Sequence, residues 1–185
     1  MRHEHRNKNE VLFRSELNAE GKSLANGLLK NYLNFLNIDR IYCSPFIRAI
    51  QTVTPYIKEY KVFQKINLDY SIAEYIEHPL FAHKENCNFD LNDNDYFTFP
   101  IDKNYNSLSK PDVLHYKETP EELYARVTLF VNMIKKKYEK TDKTILICSH
   151  RSVLNVLINC FHGCKRHIED NINMGVVTTF ENNQL

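Results

Sequence analysis

The stretch Thr144-Ile145-Leu146-Ile147-Cys148-Ser149-His150-Arg151 decides the fold. Four consecutive apolar residues, 145–148, lie behind a polar terminus, as in a central strand covered on both faces. A helical pattern from about residue 151 to 161 follows at once, so the segment is a strand–turn–helix unit. Upstream, residues 38–43 (Ile-Asp-Arg-Ile-Tyr-Cys) form a shorter strand-like run that stops at Ser44-Pro45 and also leads into a helix, to about residue 59. Pro55 lies inside that helix and is expected to kink or shorten it. Residues 61–68 read as a second strand and Val176–Phe180 as a last one. Residues 16–37 carry helical spacing, with Asn18 as the candidate cap. Thr119-Pro120-Glu121-Glu122 is a strong helix start for a helix reaching about Tyr138. Strands alternating with helices imply an α/β fold, a three-layer α/β/α sandwich around a mostly parallel sheet.

The 185 residues suit one domain, 1–185. Hydrophobic residues make up 43% and charged residues 25%, which is ordinary for a globular protein. Lys+Arg 24 against Asp+Glu 23 gives a formal charge of +1, so no global field recruits nucleic acid or an anionic membrane. No apolar run approaches a membrane span. The opening MRHEHRNKNE has no apolar stretch, from which we expect no secretory signal and a cytoplasmic setting. Five scattered cysteines point to free thiols in a reducing compartment. Residues 78–118 lack a period; they are expected to form an irregular insert that is either a cap over a site or surface padding, with Phe89, Tyr96, Phe97, Phe99 and Tyr105 packing down.

Sites in open α/β sheets form at the carboxyl ends of strands. Three polar clusters occupy such places: Arg2-His3-Glu4-His5-Arg6, Ser44-Pro45-Phe46-Ile47-Arg48 and Ser149-His150-Arg151. If they share one sheet edge, Arg2, Arg6 and Arg48 surround His3 and His150, a pocket suited to a dianionic tetrahedral group. Two metal readings compete: His3-Glu4-His5, and Cys160, His162, Cys164 and His167. The second set fits no common zinc spacing, and Cys160 continues an apolar helix face.

These clusters resemble the histidine phosphatase superfamily, also called phosphoglycerate-mutase-like. The family's Arg-His opening is matched by Arg2-His3, with Arg6 at the later position. Its helix start is similar to Leu17-Asn18-Ala19-Glu20-Gly21. Its Ser-x-x-x-Arg-Ala-x-Gln-Thr block is matched by Ser44 to Thr52, and its late Ser-His by Ser149-His150. Arg6 and the Glu74-Tyr75 context look most like the suppressor-of-T-cell-signalling phosphatases. The resemblance implies a metal-independent, cofactor-free phosphomonoester hydrolase. His3 would be the nucleophile, Arg2, Arg6, Arg48 and His150 the phosphate-binding groups, and Glu74 the general acid, with Glu77 as rival. A phosphoglycerate-mutase-type phosphotransferase and a catalytically inactive binding module remain alternatives. The partner would be a phosphorylated small molecule or phosphoprotein; a homodimer is left open.

Two departures from the family carry expectations. Glu4 and Arg151 stand where the family has glycines, and we expect them to pair with each other. The family's first strand leads into Arg-His, whereas here only Met1 precedes it. A truncated first strand, and a poorly stable chain, are therefore expected.

Overall fold

The computed structural model describes residues 1–5, 13–77, 79–82 and 89–178, without the side chains of Leu80 and Ala82. Three strands form a parallel sheet in the order β2-β1-β3: β1 (Arg40–Cys43), β2 (Ile66–Leu68) and β3 (Ile145–Cys148). Helices α1 (Ala19–Leu24) and α2 (Lys30–Phe35) are joined by a π-helical turn over Ala25–Leu29. They are followed by α3 (Ile47–Tyr60), α4 (Asp93–Thr98), α5 (Pro120–Tyr138) and α6 (Arg151–His162).

Side chains alternate across the pleat and so supply two cores. Ile41, Cys43, Ile66, Leu68, Leu146 and Cys148 pack with Leu33, Ile50, Val53 and Ile57 of α2 and α3. Tyr42, Ile145 and Ile147 face Val127, Phe130, Val131 and Val156 of α5 and α6. Helices thus cover both faces, the three layers anticipated from the sequence. Among the described residues, no helix is long and apolar enough to cross a membrane.

Local chemistry explains the element ends. Asn18 caps α1 through a 2.8 Å bond from Gly21 N–H. Thr119 caps α5 in a reciprocal box with Glu122, with Pro120 at the first helical position. α3 runs on through Pro55 instead of stopping, because its face from Ile47 to Ile57 is buried; packing outweighs the lost backbone donor.

Several expectations are corrected. The second strand is only three residues long. Residues 176–178 form no regular strand, and 179–180 lie outside the described residues. The insert is more ordered than its composition suggests. It holds α4, capped by Asn92 and Asp95, while Phe89 is buried and Phe97 is turned to solvent.

The opening residues lie beside the end of β3, with Arg2 bridged to Ser149. Ser149 N–H donates to the Met1 carbonyl at 2.9 Å, and His3 N–H donates to the Ser149 carbonyl at 3.0 Å. On their other side Arg2 N–H donates to the Val176 carbonyl at 3.0 Å. Beyond Met1, β3 borders a cavity of about 630 Å³ whose walls include Ile38, Ile145, Ile147, Leu157 and Val177. The Met1 ammonium is buried against the Ile147 carbonyl, 2.7 Å away, and burial lowers its pKa.

Candidate active site

The carboxyl ends of all three strands and the opening arm meet on one edge of the sheet. β1 delivers Ser44 and, in the first turn of α3, Arg48. β3 delivers Ser149 and His150, the latter preceding α6. After β2, a single 3-10 turn (Tyr70–Ile72) leads to Glu74. The arm carries His3. His3, Arg48 and Glu74 line one cavity of about 540 Å³ together with Arg2, Tyr75 and Phe81, and His150 lies buried against Arg48 and Glu74.

The contacts among these groups are specific. His3 Nδ1 lies 2.6 Å from the Glu4 carbonyl. A carbonyl can only accept, so Nδ1 carries the proton and Nε2 presents a lone pair. Arg48 Nε donates to that Nε2 at 3.2 Å. Arg48 Nη2 donates to Glu74 Oε2 at 3.1 Å and lies 3.3 Å from His150 Nδ1. Arg48 Nη1 donates to Ser15 Oγ at 3.1 Å. His150 Nε2 is 2.7 Å from Ser44 Oγ, and the two imidazoles meet edge to face with centroids 5.0 Å apart. Arg2 lines the cavity while one of its Nη groups donates to the Ile172 carbonyl.

Charge states follow from burial and neighbours. Burial first, then the charges of Arg48 and His150, hold the His3 pKa well below the usual imidazole range. Burial likewise lowers His150 to about 4, against the upward pull of Glu74. For Glu74 burial pushes the pKa up, but His150, Arg48 and His3 outweigh it and hold the carboxyl well below its ordinary value. The resting site thus holds two neutral imidazoles and a carboxylate.

His3, Glu74 and His150 offer ligand atoms within 4.8 Å of one another, the one metal-like cluster among the described residues. The Arg48 guanidinium is hydrogen-bonded to all three, so a cationic group already occupies their common focus. The Cys160–His167 set forms no such cluster.

Of the residues singled out in the sequence, Arg2, His3, Arg48, Glu74 and His150 are brought together; Arg6 lies outside the described residues. Glu77 is an exposed wall residue of the cavity, whereas Glu74 reaches its cations. The Glu4–Arg151 pair is not formed: Glu4 packs under Gly175, with Oε2 buried and without a hydrogen-bond partner. Its backbone N–H is fixed by Thr52 Oγ1 at 3.1 Å, which turns the side chain away from the cavity. Of the insert's described residues, Pro79 and Phe81 reach the cavity. Sequence reading missed Ser15, which no motif marks, and the part played by Thr52 in holding the arm.

Comparisons with solved structures find the same fold in other proteins. The ecdysone phosphate phosphatase from Bombix mori in complex with tungstate superposes with a TM-score of 0.63 at 14% identity, over 97% of this chain and 83% of that one. The alpha-ribazole phosphatase from Shigella flexneri gives 0.60 at 19% identity, over 95% and 85%. The phosphoserine phosphatase from Entamoeba histolytica in complex with 3-phosphoglyceric acid gives 0.54 at 19% identity, over 88% and 77%. These likenesses concern the fold alone. No curated protein sequence matches. The family described as the histidine phosphatase superfamily (branch 1) matches residues 13–180, and the strand-end architecture agrees with it. The chain therefore belongs to the histidine phosphatase superfamily.

Proposed function

We propose that the protein is a phosphomonoester hydrolase that works through a phosphohistidine on His3. The observation that carries this reading is the orientation of His3: Nδ1 tied to the Glu4 carbonyl, Nε2 aimed at the atoms of Arg48. A phosphate dianion entering the cavity draws the Arg48 guanidinium onto its oxygens. Arg2, Arg48 and His150 then neutralise the equatorial charge, and Arg6 joins them in this reading. His3 Nε2 attacks phosphorus in line, the ester P–O bond breaks, and Glu74 gives its proton to the departing oxygen. Water next attacks the phosphohistidine, Glu74 takes a proton from it, and the P–N bond returns its electron pair to Nε2.

Glu74 must hold a proton for the first step. Its low resting pKa is set by its contacts with His150, Arg48 and His3. A bound dianion engages those groups and adds negative charge beside the carboxyl, which raises its pKa.

Glu4 does not oppose the substrate, because its carboxylate is packed on Gly175 and not on the cavity. That removes the main reason for reading the chain as an inactive binding module. The substrate is a phosphorylated small molecule or phosphoprotein, a cytoplasmic setting belongs to the same reading, and no cofactor is invoked. Kinship with the suppressor-of-T-cell-signalling type is part of the proposal and rests on the Glu74-Tyr75 context. The test is hydrolysis of p-nitrophenyl phosphate by the full chain and by His3→Ala. Activity lost on substitution supports the reading, and a well-folded wild type without activity overturns it. Transfer between phosphoglycerates in place of hydrolysis would reassign it as a phosphotransferase.

A further inference from the structure

Glu74 stands on a stretch with little regular structure of its own. After the turn at Tyr70–Ile72, residues 73–76 belong to no helix or strand, so their backbone groups need partners from elsewhere. Arg126, from the middle of α5, supplies them. Its Nη1 donates to the carbonyls of Ser71 (3.0 Å) and Ala73 (2.9 Å), and its Nη2 donates to the Glu74 carbonyl (3.0 Å). The same guanidinium is held by Glu118, with Nε to Oε1 at 2.5 Å and Nη2 to Oε2 at 2.9 Å. Glu118 Oε2 also accepts the Ile76 N–H at 3.1 Å. One buried ion pair therefore grips the chain on both sides of Glu74, at residues 71, 73, 74 and 76.

Arg126 is 4% and Glu118 2% exposed, and neither lines the cavity. A buried ion pair is a weak source of stability compared with apolar packing of the same volume. What it offers here is direction: five N–H donors in a rigid fork, aimed at three backbone carbonyls and a carboxylate. We infer that Arg126 and Glu118 are positioning residues that set the Glu74 carboxyl at the leaving-group oxygen. The inference rests on the phosphatase reading above. General acid catalysis depends on placement at hydrogen-bond reach, so a loosened segment costs proton delivery before it costs phosphate binding.

The test compares phenyl phosphate, whose leaving group needs a proton, with dinitrophenyl phosphate, whose leaving group does not. Arg126→Lys and Glu118→Gln are measured alone and combined with Glu74→Gln, and the apolar swap Arg126→Met with Glu118→Leu guards against misfolding of the single variants. The expected result is a loss of roughly 10-fold or more on phenyl phosphate and much less on dinitrophenyl phosphate. Inhibition by tungstate should be unchanged, and Glu74→Gln should add little further loss. The apolar swap leaves the carbonyls of residues 71, 73 and 74 without that donor, so it is expected to melt below the wild type, to stay folded at the assay temperature and to show the same selective defect. Equal losses on both esters, or losses that add fully to Glu74→Gln, overturn the inference. A wild type inert towards both esters overturns the phosphatase reading itself, a different outcome from an active wild type with unselective variants.

Discussion

Arg48 lies between His3 and Glu74, 3.2 Å from the imidazole Nε2 of one and 3.1 Å from the carboxylate of the other, with 1% of its surface exposed. One planar fork thus spaces the imidazole from the carboxylate. Lysine could keep the charge but not these simultaneous directions. Arg48→Lys is expected to lower kcat/KM by about 100-fold or more, in the range seen when one preorganised charge donor is lost. Steady-state kinetics on p-nitrophenyl phosphate would show it, and a loss under about threefold would contradict the role.

His3 should carry the phosphoryl group between the two half-reactions. Brief mixing with a radiolabelled ester, quenched in alkali, is expected to leave label on the protein that acid releases, as a phosphoramidate does. His3→Ala should trap none, and His150→Ala should still trap some, since His150 binds oxygens in this scheme and forms no P–N bond. Label on another residue would refute the assignment of the nucleophile.

Stability should fall on the acid side. His150 has a pKa of about 4 in the folded protein against the ordinary 6.5. Below pH 6.5 the unfolded chain takes up a proton that the folded one refuses, so stability is lost as pH falls through this window. His150 alone contributes a decline of about 3 kcal/mol by pH 4. His3, also lowered by burial, acts in the same direction. Urea melts at pH 7 and pH 4.5 measure the difference. His150→Gln, which removes the titrating group, should flatten the curve.

Glu4 is a stability liability in its present place. Its Oε2 is buried without a partner, and burial raises its pKa, with the Glu20 charge adding and His5 opposing. Glu4→Gly, the residue the family uses there, is expected to raise stability by about 1 kcal/mol at pH 7. By contrast, Gly175→Ala should lower it, because Gly175 has φ +70 and a Cβ there would run into Glu4. Paired thermal melts of the two variants decide this.

The sheet and most of the site were readable for a local reason. Arg48, Glu74 and His150 follow short apolar runs, and a parallel sheet sends the ends of such runs to one side. α5 was readable because Thr119 and Pro120 announce its start. Glu4 and Arg151 illustrate the limit. Each follows a family histidine, and those histidines do meet, but side-chain direction depends on backbone contacts such as Glu4 with Thr52, which no local pattern encodes. Glu118 and Arg126 escaped notice because a buried ion pair looks in sequence like two ordinary charges, one just ahead of a helix and one on it. α4 was hidden because its cap, Asn92 with Asp95, sits in a run of Asn and Asp where every residue could serve as one.

The arm bearing His3 is held by Ser149 on one flank and Val176 on the other. These anchors lie 146 and 174 positions further along the polypeptide than the residues they hold. With α3 alone the arm has the Thr52 hydroxyl and the Arg48 guanidinium but neither flank. Contacts of such long sequence separation are costly to close, so the cradle is expected to form late in folding, when the stretch from Ser149 to Val176 settles against the opening residues.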